Sequence, residues 1–428
     1  MIRPPLFIIL ACWALPLAAA PAQAPPLTLA QVLAAVRAHD PSVAAGWANA
    51  AQARGLALSA YAWDAPQLGL QWMGTAWPNP DLNQSQSRTL SLTQSLPFPG
   101  RTWLAGRAAS HSADAAQDEA GDMELEELER ASAGYYDLAA ADYLLGALSR
   151  TAEATRSMAA LSARREAFGQ LDRMGQFMDT MLELNTDNLD AAVSDARQQR
   201  LEAEARLNRL MGAHEDASLP PTLLDVEALL AAPVPEPAGF WRSVEAHNLD
   251  LAGAQARQAA ARGARAVAWS GWLPDLTLQG SVTQDDQGGR QGGAMLGLSL
   301  PWLWGWKQAG QVAAADAAAD EAGLALEAER LDLRREARTA LGELQAAREG
   351  LRIAWTRALP RAEQGLAQAR EGFRSAALGP TEVLMALQSY QAAQQGVAQA
   401  LARFGRARAA LDTLTGGPMA GAAQGDKP

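Results

Sequence analysis

Four histidines (His39, His111, His214, His247) and one cysteine, Cys12, are the imidazole and thiol groups that this chain of 428 residues offers. No two histidines stand three or four residues apart, the spacing that sets two metal ligands on one helix face. His39 and His247 fall at equivalent places in an internal repeat, so duplication explains them without a metal. No glycine loop of phosphate-cradling form and no Ser/His/Asp arrangement is present. An enzyme is not expected, nor a catalytic or cofactor-binding residue, nor a cofactor. The methionines carry more. Met174, Met178 and Met181 fall at i, i+4 and i+7, on one helical face, and Met181 matches Met385 in the repeat. Thioether sulfur is a soft ligand suited to Cu(I) or Ag(I). Packing of a helical seam is the plainer reading, so Met181 and Met385 are weak metal candidates only. The acidic run "DEAGDMELEELER" (118–130) reads as a solvated helix face, although carboxylates lining a lumen would attract cations.

The elements that must position these groups begin with an export signal. Arg3, the apolar run Leu6–Leu17 and the small residues "AAAPAQA" predict a secretory signal peptide over 1–24, too short to span a bilayer. Cys12 follows Ile9-Leu10-Ala11, a poor lipoprotein box. The mature chain is then free of cysteine and hence of disulfides. A net charge of −11 disfavours a nucleic-acid partner. Beyond the signal no run of eighteen apolar residues occurs, so helices are not expected to cross a membrane.

The chain is written twice. "AHDPSVA" (38–44) matches "AHNLDLA" (246–252), and "PQLGLQ" matches "PDLTLQ", both at an offset of 208. From the pair Leu96-Pro97 and Leu300-Pro301 onward the offset is 204. The lost residues belong in a loop tip, which marks "NPDLNQSQS" (79–87) and "DDQGGRQGG" (285–293) as turns between paired strands. The pattern predicts a first repeat over 25–212, with a helix from Leu29 to Ala60, strands 66–76 and 87–97, a long helix 101–174 and a return helix 176–211. A proline-rich connector, 213–239, leads to a second repeat over 240–416, with strands 274–284 and 292–302, a long helix 305–378 kinked at Pro360, and a return helix 380–415. A disordered tail is expected over 417–428. A long helix of 74 residues spans roughly 110 Å, and the two shorter helices end to end roughly 100 Å, so they close one layer.

Each strand alternates apolar and polar residues over about ten positions, the length a tilted strand needs to cross a bilayer. Two amphipathic hairpins on a soluble helical protein would show the same alternation. Tryptophan shifts the balance toward the membrane. Nine of the 13 tryptophans (63, 72, 77, 103, 269, 272, 302, 304, 306) lie in or beside the strands. Indole favours the membrane interface, so Trp63, Phe98, Trp103, Trp269, Trp272, Trp302, Trp304 and Trp306 are expected there. Four strands cannot close a barrel, and open edges are forbidden in lipid. Two copies give eight strands, filled by side chains; three give a twelve-stranded barrel with a passage. The fold class is therefore all-α plus membrane β-barrel, a duplicated helix-strand-strand-helix-helix unit assembled as a homotrimer.

These features resemble the TolC family of outer-membrane efflux proteins along essentially the whole mature chain. The motifs that carry the resemblance are Asp40-Pro41; Pro66, Leu68 and Leu70; Gln94, Leu96, Pro97 and Gly100; and Gly379, Val383, Leu384 and Ala386. The "PFPGR" form of the strand exit is similar to the heavy-metal resistance branch (cobalt–zinc–cadmium and copper–silver). The resemblance implies a trimeric barrel in the outer membrane of a Gram-negative bacterium, with a helical tunnel across the periplasm. It also implies a periplasmic adaptor (membrane fusion) protein, an inner-membrane pump of the proton-driven RND type, and a passive role as exit duct, with heavy-metal cations as cargo. Adaptor contact is then expected at the tips Met174-Gly175-Gln176-Phe177 and Leu378-Gly379-Pro380-Thr381. Asp179 and Glu382, just past the turns, are candidates for a charged constriction. The first tip departs from the family pattern. A drug efflux channel, a type I secretion channel of the same fold, and a soluble periplasmic scaffold are the alternatives.

Overall fold

The computed structural model describes residues 25–74, 82, 85–167, 173–375, 377–378 and 380–417. The expected signal peptide, most of the first loop tip, Trp77, Gly379 and the expected tail beyond Gly417 lie outside the described residues.

Each repeat opens on two helices where the sequence pattern predicts one. Helix α1 (Leu29–His39) stops at Asp40, and α2 (Pro41–Ala60) begins at once. Pro41 has no N–H and forces its predecessor into an extended conformation. Asp40 then caps the new helix by accepting from the Ser42 backbone N–H at 2.7 Å. Strands β1 (Gln67–Met73) and β2 (Ser87–Leu96) follow, then α3 (Arg101–Ala167) and α4 (Arg173–Leu210). A short helix α5 (Val226–Ala231) interrupts the connector. The second repeat runs through α6 (Pro237–His247), α7 (Leu249–Ser270), β3 (Leu276–Asp285) and β4 (Arg290–Leu298). Asn248 makes the break between α6 and α7 as Asp40 does, accepting from the Leu251 N–H at 2.9 Å. A 3-10 turn, Pro301–Trp304, ends the hairpin where the sequence pattern continued the strand to 302. Then come α8 (Gly305–Ile353), a five-residue π turn Ala354–Ala358, α9 (Leu359–Arg374) and α10 (Pro380–Leu414). The π turn directly precedes Pro360, which offers no N–H, and widening the helix there relaxes the missing bond.

The long helix ends at Ala167 and the return helix begins at Arg173. Met174–Phe177, expected at the turn, thus stand in the first turn of α4, and residues 168–172 lie outside the described residues.

Three buried clusters hold the helices together, one centred on α8 and α10, one on α1 and α3, and one nearer the tips. The connector straps the first two. Arg200 donates to Asp142 at 2.7 Å, to Glu204 at 2.6 Å and to the Leu219 carbonyl at 3.1 Å. Asp142 in turn accepts from the Thr222 backbone N–H at 2.9 Å. Leu27 pairs with Thr222 in a parallel bridge, and the Tyr135 hydroxyl donates to the Leu27 and Leu223 carbonyls at 3.2 and 2.8 Å.

Candidate channel-forming surface

Register turns the alternation of the strands into a two-faced sheet of order β1-β2-β3-β4. Leu68 faces Leu92, Leu70 faces Leu90, and Leu90 faces Val282. Leu278 faces Leu296 and Leu276 faces Leu298. Directly opposed side chains share a face, so these leucines lie on one apolar face, which Gln94, opposite Leu278, interrupts. The reverse face carries Gln67, Thr93 and Gln279 in one row and Gln71, Thr89, Thr283 and Gln291 in another. The Thr89 and Thr283 hydroxyls lie 2.9 Å apart across it. Among the described residues nothing covers the apolar surface: Leu68 is 69% and Leu296 65% exposed, and no strand residue belongs to the buried clusters. In water each bare leucine forgoes about 1.5–3 kcal/mol of burial. A hydrocarbon neighbour removes that cost.

Aromatic side chains gather where strands meet helices. Trp63, Trp103, Trp269, Trp302 and Trp306 are exposed there, and Phe98 and Trp272 are half-buried. Trp304 lies in the 3-10 turn, its side chain outside the description. At the first junction Gly100 adopts φ 98°, a left-handed conformation that favours glycine, and Arg101 donates back to the Phe98 carbonyl at 2.9 Å. The Arg101 guanidinium then reaches into the second repeat. It chelates Asp275 at 2.5 Å to each oxygen and donates to the Ser270 and Leu273 carbonyls at 2.7 and 2.8 Å. Asp275 also accepts from the Phe98 N–H at 2.9 Å. This pin joins both repeats at the base of the sheet. Sequence reading quoted the arginine inside "PFPGR" without giving it a role, because its repeat equivalent is Gly305 and that of Asp275 is Gln67.

At the far end Leu378 is exposed and folds back over Gly372, with its N–H bonded to the Gly372 carbonyl at 3.0 Å. Thr381 and Glu382 are exposed, and Pro380 opens α10. Met174 to Asp179 lie in α4, their side chains outside the description. Met385 is exposed and Met181 half-buried. Among the described residues no group of three His, Cys, Asp or Glu side chains could hold a metal. His39 and His247 prove to be equivalent helix ends: their Nδ1 atoms sit 3.1 and 3.0 Å from the Ala35 and Ser243 carbonyls.

The acidic run is less solvated than its composition predicts. Leu125 and Leu128 are buried within it, and Glu127, 8% exposed, pairs with Arg130. Burial, with Asp250, Glu126 and Glu329 nearby, pushes the Asp122 carboxyl up to about 7. Burial likewise raises Glu129.

Residues 241–417, nearly all of the second repeat, match the family model described as outer membrane efflux protein. No curated protein sequence matches the chain significantly. Among solved structures it resembles CusC, described as forming a transmembrane channel, with a TM-score of 0.77, 16% identity and coverage of 91% of this chain and 92% of that one. The Neisseria gonorrhoeae MtrE outer membrane channel in its open state gives 0.76, 15% identity and coverage of 91% and 89%. The Vibrio cholerae outer membrane protein VceC gives 0.73, 19% identity and coverage of 91% and 96%. The chain has the fold of an outer-membrane efflux channel. That fold takes in the first repeat as well, which the family model does not reach.

Proposed function

We propose that the chain is the outer-membrane exit duct of a tripartite efflux system, three copies closing a twelve-stranded barrel above a periplasmic helical tunnel. What supports closure is a set of missing neighbours. In the second repeat α7 and α10 each pack between both long helices, α3 and α8. Of the two long helices, their equivalents α2 and α4 lie along α3 alone. The chain thus carries a rod that lacks a long helix, and α8 lacks a rod. Strands β1 and β4 likewise each present a free edge. A head-to-tail ring of identical copies satisfies all of these together, and three copies give the smallest ring with a passage.

On this reading the first turn of α4, Met174–Phe177, and the tip Leu378–Thr381 meet the periplasmic adaptor, and Asp179 and Glu382 form a charged constriction beside them. The pump in the inner membrane, of RND type, supplies the energy. Heavy-metal cations are the proposed cargo, on the likeness of "PFPGR" to the metal-resistance branch. Deleting the gene should lower tolerance to silver, copper or zinc, and the intact chain should restore it. Unchanged metal tolerance, with drug or polypeptide export lost instead, would replace the cargo and leave the duct. Gly379→Trp should lower efflux with the trimer intact; unaltered efflux would remove the tip from the docking surface.

A further inference from the structure

The helix-side flanks of the sheet are rich in cations, although the chain carries a net charge of −11. Residues 54–66, 97–112, 262–275 and 299–312 enter or leave the strands at that end. They hold Arg54, Arg101, Arg107, Arg262, Arg265 and Lys307 against Asp64 and Asp275. The segments at the opposite end, 79–87 and 285–293, reverse the balance, with Asp81, Asp285 and Asp286 against Arg290. Of the six cations only Arg101 and Arg265 pair with a carboxylate among the described residues, Asp275 and Asp316. The other four are exposed. Arg54 and Arg262 are repeat equivalents. Arg107 stacks 5.0 Å over the ring of Trp103, which is itself bare and one turn nearer the strands. Lys307 takes the place of Trp103 in the second repeat, and Trp306 stands exposed beside it.

We propose that this belt binds the headgroups of acidic phospholipids in the leaflet nearest the helices, with Trp103 and Arg107 as its best-formed site. The inference rests on the membrane reading of the sheet given under the proposed function. An indole settles where acyl chains meet headgroups. A guanidinium four residues along the helix, about 6 Å farther from the strands, then lies at the depth of the phosphate, which its planar fork grips through two oxygens. A zwitterionic lipid brings its own cation and leaves the excess charge of the belt unmatched, whereas an acidic lipid cancels it. Closing a ring of copies crowds these cations together, which sharpens the demand for anions. The face is the right one. Arg107 stands eighteen residues, five turns at 3.6 residues each, from Leu125, which packs with Val32 and Val36 of α1. A layer such as α1 on the inner side of a ring would fill the passage, so the α3 face that Arg107 shares with it is the outer one.

The test is native mass spectrometry of the full chain, extracted in detergent and offered phosphatidylglycerol and phosphatidylcholine in equal amounts. Phosphatidylglycerol should be retained in preference. Arg107→Gln with Lys307→Gln should lower that preference about fivefold for each cation removed. Arg107→Lys with Lys307→Arg should keep it, and so should Arg290→Gln at the loop end. A preference that falls as far with Arg290→Gln would overturn the assignment to the belt. Inorganic phosphate should not displace the lipid, because the acyl chains hold to the apolar face; displacement would reduce the ligand to free phosphate and overturn the lipid. Equal retention of the two lipids would overturn this inference and leave the membrane reading standing. Loss of both lipids, with failure to enter vesicles of either one, would strike the membrane reading and this inference with it.

Discussion

The sheet and the strapped middle of the helices obey opposite rules. At the strap the charged groups brought out of water are matched: Arg200, Asp142 and Glu204 pair with one another and with the connector backbone. Around them, leucine and alanine are buried. In the sheet the backbone is matched between neighbouring strands, while the outer edges of β1 and β4 and the leucines are left bare. The proposed duct reconciles the two rules, with water at the helices and hydrocarbon at the strands. The Arg101–Asp275 pin stands where one rule gives way to the other.

The largest expected effect comes from breaking the apolar face. Leu278→Arg or Leu298→Arg should cost roughly 2–4 kcal/mol per strand near the bilayer midplane, seen as loss of folded barrel in denaturant titrations in lipid. Gln279→Arg, one residue along and on the reverse face, should stay within about 0.5 kcal/mol. Equal effects on the two faces would dissolve the contrast. Next comes the pin. Arg101→Ala strands a partly buried Asp275 and should lower thermal stability by about 2–3 kcal/mol; Lys at the same place, unable to chelate both oxygens, should restore only part of it.

Sequence made the two-faced sheet legible because side-chain period, tryptophan placement and duplication all point the same way. It was less able to place the first tip: Met174–Phe177 stand inside α4, and the first repeat lacks the residues that mark the second tip, Val383, Leu384 and Ala386. The strap and the pin were invisible. They depend on Asp142, Arg200, Arg101 and Asp275 meeting across long separations, and none of these pairs is duplicated, so neither periodicity nor repeat matching could report them. The break at Asp40-Pro41 was quoted as a motif yet read within one helix, although proline and a capping carboxylate together announce it.

A smaller effect sharpens the helical side. Asp122 titrates near 7 in the folded chain and near 3.9 in an unfolded one, so the fold retains a proton that the unfolded chain has lost. Stability is therefore full below about pH 4, falls as pH rises toward about 7, and levels off above. Asp122→Asn should flatten that slope and gain on the order of 1 kcal/mol at pH 8, discounted for its partial exposure. An unaltered slope would place the titration elsewhere. The smallest effect is expected from replacing Met181 and Met385 together with leucine: tolerance to silver, copper and zinc should stay unchanged, since both residues are read as seam packing. A loss confined to silver and copper, with normal assembly, would make them ligands.

The central claim is that copies close around a passage. Its most direct test is the mass of the detergent-extracted protein in solution, measured by light scattering with the detergent subtracted. Three protomers per particle is the expected result. A particle of one protomer, with the sheet folded and both edges free, would contradict it.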